Sequence, residues 1–246
     1  MKKAESAPVK TGLLALLGGA WETAKSLFSP WKADETLRKR IPEADLRAAL
    51  LISGAAVILG AVLYLLIYAE TLYFAAFSYT ALSKAVGGPV PQPDFSSLDP
   101  FAVFLLLSAA LTLLLGFFQD GIVYYALRLT GGKGTFTQQY YLSSFVALAM
   151  AISSSIMVFG PVPCLGAPVA LAYLVMVLYF MFVVRCRAYA TVHDLTYTHV
   201  LIVVFLSCIP LVVILFLGQG ALASTLHIQQ AQLYNLSSST NVTSGA

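Results

Sequence analysis

The chain has 246 residues, 59% of them hydrophobic and only 10% charged, with a mean hydropathy of +0.83 and a formal net charge of +3. So few charges exclude an ordinary soluble domain, in which about a quarter of the residues are charged. The composition points to an all-α fold, a polytopic membrane helical bundle, because helices satisfy their own backbone groups in lipid.

Residues 1–47 form an N-terminal segment. Leu13, Leu14, Leu16, Leu17, Trp21, Ala24, Leu27 and Phe28 recur at helical spacing, with Glu22 and Lys25 between them. Ser29-Pro30 is expected to end that helix. The pattern suits an interfacial amphipathic helix on the inner leaflet, with Trp21 and Trp31 at headgroup depth. The alternative is a helix packed beneath the bundle. The segment holds nine Lys+Arg against six Asp+Glu, too mild a balance for nucleic acid or for a polybasic lipid switch.

A hydrocarbon core of roughly 30 Å needs about 20 apolar residues. Five runs qualify, at 48–69, 101–127, 140–160, 165–184 and 198–218, and make up a five-span domain over 48–218. The first starts too far into the chain, and runs too long, for a cleavable signal peptide, so it is expected to act as a signal anchor. In the first connection, Tyr73, Phe74, Phe77, Tyr79 and Leu82 suggest that the first helix continues along the interface. Gly87-Gly88-Pro89 stops it, and Ser97 or Asp99 with Pro100 opens the second span. The polar tail, 219–246, is expected to be disordered and carries the sequons at Asn235 and Asn241.

Charge sets the direction. Nine basic residues precede the first span, two (Arg128, Lys133) lie in the second connection and two (Arg185, Arg187) in the fourth. The first connection has only Lys84, and the third connection and the tail have none. Basic residues favour the cytosolic side, so the N-terminus is expected inside and the C-terminus outside.

Within the second span Ser108, Thr112, Gly116 and Asp120 fall at i+4 spacing, a ridge of small residues that lets helices approach. Asp120 ends this ridge. Either it points into the bundle as an acid at membrane depth, or it lies at the inner headgroups beside Arg128 or Arg185. The third span carries a second ridge, Ser143, Ala147, Ala151 and Ser155, and is expected to be the central helix, with Leu148 facing outward. His193, Asp194 and His199 form a titratable cluster whose spacing suits a solvated turn better than a metal site. Cys164, Cys186 and Cys208 are too scattered for a disulfide framework. The sequence shows no zinc-protease, serine-hydrolase or phosphate-loop motif and no paired intramembrane acids, so neither enzyme chemistry nor a cofactor is expected.

The turn Leu129-Thr130-Gly131-Gly132-Lys133-Gly134-Thr135-Phe136-Thr137-Gln138-Gln139 closes one span and opens a Ser/Ala-rich one. Pro161-Val162-Pro163-Cys164-Leu165-Gly166 follows, then another apolar helix and a last span opening over Thr198–Pro210. With Leu27-Phe28-Ser29-Pro30 upstream, this order resembles the Yip1-domain family of five-span membrane proteins. The resemblance implies a cytosolic N-terminus and marks Gly131, Gly132, Gly134 and Gln138, with Asp120, as the candidate polar sites. Eukaryotic relatives bind small Rab-type GTPases through an Asp-Leu-Tyr-Gly-Pro-like N-terminal segment. This chain lacks it, so the match is to the prokaryotic branch and GTPase binding is not implied. The functions that fit are a membrane-organising or scaffolding protein, whose partners are the bilayer and other membrane proteins or itself, and a transporter with a path near Asp120.

Overall fold

The computed structural model describes residues 13–86, 98–162, 164–207 and 209. The chain divides into two compact units, Met1–Leu201 and Ile202–Ala246. Of the second, only 202–207 and 209 fall among the described residues, and they are helical. No strand occurs among the described residues.

Two short helices come first, α1 (Leu13–Ser26) and α2 (Pro30–Arg40). The sequence reading stopped at Ser29-Pro30; the structure starts a second helix there. Ser29 is extended and Pro30 occupies the first turn, where a missing N–H costs nothing. A small-residue face, Ala20, Thr23, Ala24 and Leu27, is buried, while Leu14, Trp21 and Trp31 are exposed. Arg40 ties the two helices, bonding Thr23 Oγ1 at 3.2 Å and Glu43 at 2.6 Å. The pair seats on the bundle through Phe28 edge-on to Phe180, centroids 5.0 Å apart, and Tyr179, whose hydroxyl donates to the Leu27 carbonyl at 3.1 Å.

Helix α3 runs unbroken over Leu46–Val86, with Asp45 Oδ2 accepting the Ala48 N–H as its cap. Its 41 residues reach about 60 Å, twice the hydrocarbon thickness. The continuation beyond the first span, expected along the interface, is helical and unbroken with the span itself. The stop at Gly87-Gly88-Pro89 lies outside the described residues. Helix α4 covers Leu98–Leu129, with Pro100 in its first turn, and α5 covers Phe136–Ser153. Ser153 and Ser154 bond back to the Ala149 and Ala151 carbonyls, and the chain tightens into a 3-10 turn over Ser154–Phe159. Helix α6 (Gly166–Leu178) passes through a π-helical turn, Tyr179–Val184, into α7 (Arg185–His193).

Four of these helical stretches are long and apolar enough to cross a membrane: Leu46–Thr71, Leu107–Leu129, Phe136–Phe159 and Gly166–His193. They suit a multi-pass integral membrane protein. The fourth span therefore does not end at Val184 but continues to His193. Of the run at 198–218, the apolar helix Tyr197–Ser207 is described. The rest, with Cys208, Asn235 and Asn241, lies outside the described residues.

The third crossing segment is central. Half of its apolar window is buried, against 17, 11 and 17% in the others. Leu148, expected outside, is 5% exposed and belongs to the core. The correction follows from period: Phe145, Val146, Leu148 and Ala149 are all buried, so α5 is enclosed on more than one side.

Candidate functional site

Asp120 sits on the inward face of α4, 2% exposed, in line with the buried Val123 and Leu127. The opposite face, Leu107, Leu111, Leu114, Phe118, Ile122 and Tyr125, is exposed. The i+4 reading of this face holds, and the carboxylate meets partners from two other helices. Arg185 Nη2 donates to Asp120 Oδ1 at 2.5 Å. The Tyr189 hydroxyl donates to the same oxygen and lies 3.3 Å from Ser143 Oγ. Arg185 Nε donates back to the Tyr189 hydroxyl at 2.6 Å. Arg185 is one of the two arginines the sequence offered as a neighbour of Asp120; the pair forms, and Arg185 is itself buried, 7% exposed.

The π turn explains this placement. One extra residue rotates everything after it by about 100° relative to a continuous α-helix. Arg185 and Tyr189 are i and i+4, so they share a face, and the shift turns that face toward Asp120. A buried ion pair of this kind is costly to break, because the survivor is left charged in low dielectric.

The glycine turn lies next to this pair and is a clasp. Thr135 and Gln138 form a reciprocal capping box at the start of α5: the Thr135 side chain accepts from the Gln138 N–H at 3.3 Å, and Gln138 Oε1 accepts from the Thr135 N–H at 3.2 Å. Gln138 is thus a cap, and Thr-x-x-Gln was a signal available in the sequence. Gly131 adopts φ +100°, a conformation that side chains disfavour. A Cβ on Gly132 would fall 2.6 Å from His193 Nδ1, and one on Gly134 would fall 2.6 Å from the Val192 carbonyl oxygen. These two glycines let the turn lie against the end of α7. There Lys133 N–H donates to the His193 carbonyl at 3.0 Å, and Lys133 Nζ meets Asp194 at 2.9 Å.

The three-residue titratable cluster is taken apart by this packing. His193 is fully buried, not solvated, as the turn closes over it. Gln139 donates its amide to the Asp120 carbonyl at 2.9 Å and accepts from His193 Nε2 at 2.8 Å, which places the imidazole proton on Nε2. Asp194 takes a left-handed conformation that ends α7, and its side chain is exposed. The hydrogen bond and charge of Lys133 hold its carboxyl below the usual range, and Asp194 raises the lysine in return. No group of three metal-ligating side chains occurs among the described residues. Gln139 and Tyr189 are the site residues that sequence reasoning missed, while His193 was singled out but expected in a solvated turn; a Gln in an apolar span was the available signal.

Below Asp120 opens a cavity of about 610 Å³. Its wall includes Ser108, Thr112, Gly116 and Asp120 of one ridge and Ser143, Ala147 and Ala151 of the other. The ridges were expected to be contact surfaces between close helices; they line open space instead. Ser155 of the second ridge is exposed, and Ser154 takes its place in the lining. Gly60 and Gly116, both in the wall, have no atom within 4 Å of where a Cβ would lie.

No family model, curated protein or solved structure matches this chain.

Proposed function

We propose that this chain is a five-span integral membrane protein with a cytosolic N-terminus and an extracytosolic C-terminus, and that it organises membrane or scaffolds other membrane proteins without catalysis. The observation that carries the reading is the clustering of basic elements at one end of the bundle. Arg187 lies 3.5 Å from Asp34 of α2, and the Lys133 turn is clasped to the end of α7. Ten of the eleven Lys+Arg among the described residues, all but Lys84, belong to the N-terminal elements, the start of α3, the Arg128–Lys133 turn and α7, which supports an inside orientation for that end. Exposed Trp21 and Trp31 beside that end support lipid-headgroup contact by α1 and α2. The resemblance to the Yip1-domain family rests on the turn and the order of spans, and agrees with this topology.

The test is impermeant cysteine labelling in intact cells, with the native cysteines replaced because Cys164 is exposed. A Cys placed within 228–246 reacts from outside and one within 1–10 does not; the reverse pattern sinks the topology. A transporter reading is favoured by one observation, the cavity that reaches Asp120. Against it, Asp120 is already neutralised by Arg185. Proton or cation flux in reconstituted vesicles, lost in Asp120→Asn, would establish transport.

A further inference from the structure

The cavity has the features of a built binding site. Its volume of about 610 Å³ falls in the range of ligand pockets, roughly 300–1,000 Å³. Its wall runs along α4 from Leu105 to Asp120, about 22 Å at 1.5 Å per residue, longer than one leaflet of a roughly 30 Å hydrocarbon core. The middle of that wall is apolar and small, with Gly60 and Gly116 facing open space from two helices.

The inner end is polar, buried and incompletely used. Both donors to Asp120 seen among the described residues converge on Oδ1, and none of the hydrogen bonds among those residues reaches its Oδ2. Arg185 spends Nε and Nη2 on oxygen, but the one partner of Nη1 is the Met181 sulfur, at 3.6 Å. Sulfur is a weak acceptor, and a buried guanidinium has five N–H groups to satisfy. Asp120, Arg185 and Met181 all line the cavity. Among the described residues, the end of the cavity therefore presents one carboxylate oxygen without a donor and one underused cationic donor, within a pair whose net charge is zero.

We propose that this cavity binds a neutral single-chain amphiphile, its apolar chain along the Gly60–Gly116 wall and a hydroxyl or amide head between Asp120 Oδ2 and Arg185 Nη1. A hydroxyl donates to the carboxylate and accepts from the guanidinium, filling both vacancies at once. Charge balance selects against the alternatives. A fatty carboxylate or a phosphate adds a buried negative charge beside Asp120, and a cation adds a positive one beside Arg185; either leaves an uncompensated charge in low dielectric. A plain alkane fills the wall but leaves the polar end unmet.

The experiment uses the full chain in lipid nanodiscs and a diazirine-bearing hexadecanol as the photoaffinity probe. The parent is labelled on α4 and α5 residues of the wall, and unlabelled hexadecanol competes at least about tenfold better than hexadecanoic acid or hexadecane, equivalent to about 1.4 kcal/mol. Gly116→Leu and Gly60→Leu, each adding a side chain where nothing now stands, abolish labelling while the chain stays folded. Leu111→Phe, on the exposed face of α4, leaves it unchanged. Asp120→Asn leaves Arg185 uncompensated, so competition reverses in favour of hexadecanoic acid. Labelling that survives both glycine variants, an acid that competes as well as the alcohol in the parent, or no labelling of the wall overturns the proposal. None of these outcomes touches the topology or the scaffolding reading, which stand on cysteine labelling and flux.

Discussion

The polar end of the bundle, where α7 meets the glycine turn, and the cavity beside it use the same residue types for opposite purposes. At the polar end, Gly132 and Gly134 are small because α7 is pressed against them. In the cavity wall, Gly60 and Gly116 are small and nothing is there. Serines do not divide by region: Ser143 and Ser154 both line the cavity, yet Ser154 turns back on the Ala151 carbonyl while Ser143 sits beside the Tyr189 hydroxyl next to an ion pair. In lipid, a small residue at a helix face therefore records either contact or space, and composition alone does not separate them.

The sharpest way to break this contrast is to remove the ion pair from the polar end. Arg185→Met leaves Asp120 buried without a cation and is expected to cost about 3–5 kcal/mol, read as a large drop in thermal midpoint in detergent. Adding Asp120→Leu removes the orphaned charge and restores much of that loss. A double variant no more stable than Arg185→Met alone would show that the pair is not electrostatically coupled.

A smaller effect compares two adjacent residues of α5. Leu148 is in the core, so Leu148→Ala is expected to cost about 2–5 kcal/mol. Ala147 borders the cavity, so Ala147→Leu has room and is expected to change stability by less than about 1 kcal/mol. The sequence alone suggests the opposite ranking, with Leu148 outside and Ala147 tightly packed. If Ala147→Leu proves the more damaging, the cavity is closed in the membrane.

How much was legible follows from what each inference needed. Periodicity within one helix was enough to turn Asp120 inward and to align Ser108, Thr112 and Gly116 with it, because i+4 spacing is a property of the helix alone. Hydropathy located the apolar runs for the same reason. What lay across helices was legible only as a choice, Arg128 or Arg185 beside Asp120, and the structure takes the second. The rotation that delivers Arg185 to Asp120 depends on a π turn in Tyr179–Val184, a stretch of apolar residues with no breaker to announce it. The burial of His193 depends on a turn 60 residues earlier folding over it, as the Lys133–His193 bond records. Pro30 was ambiguous by nature, since a proline that cannot continue one helix is well suited to begin the next.

The smallest expected effect lies at the exposed surface of the polar end, where Lys133 and Asp194 clip the glycine turn to α7. Both side chains are exposed, 77 and 75%, so the pair is screened and weak. Its sign is still determined. The Asp194 carboxyl is held below its ordinary value by the Lys133 hydrogen bond and charge, so its contribution is present above the unfolded value of about 3.9 and fades as pH falls through the folded one. The Lys133 ammonium is raised by the same bond, so its contribution is complete below about 10.4 and fades as pH rises through the folded value. Asp194→Asn is a clean probe, because asparagine accepts the left-handed backbone at this position as readily as aspartate. The difference in thermal midpoint between parent and Asp194→Asn is expected to be small and steady through neutral pH. It shrinks toward zero below about pH 4 and again above about pH 10, and is flattened throughout by added salt. A difference that persists unchanged into acid would mean that Asp194 does not act through its charge on Lys133.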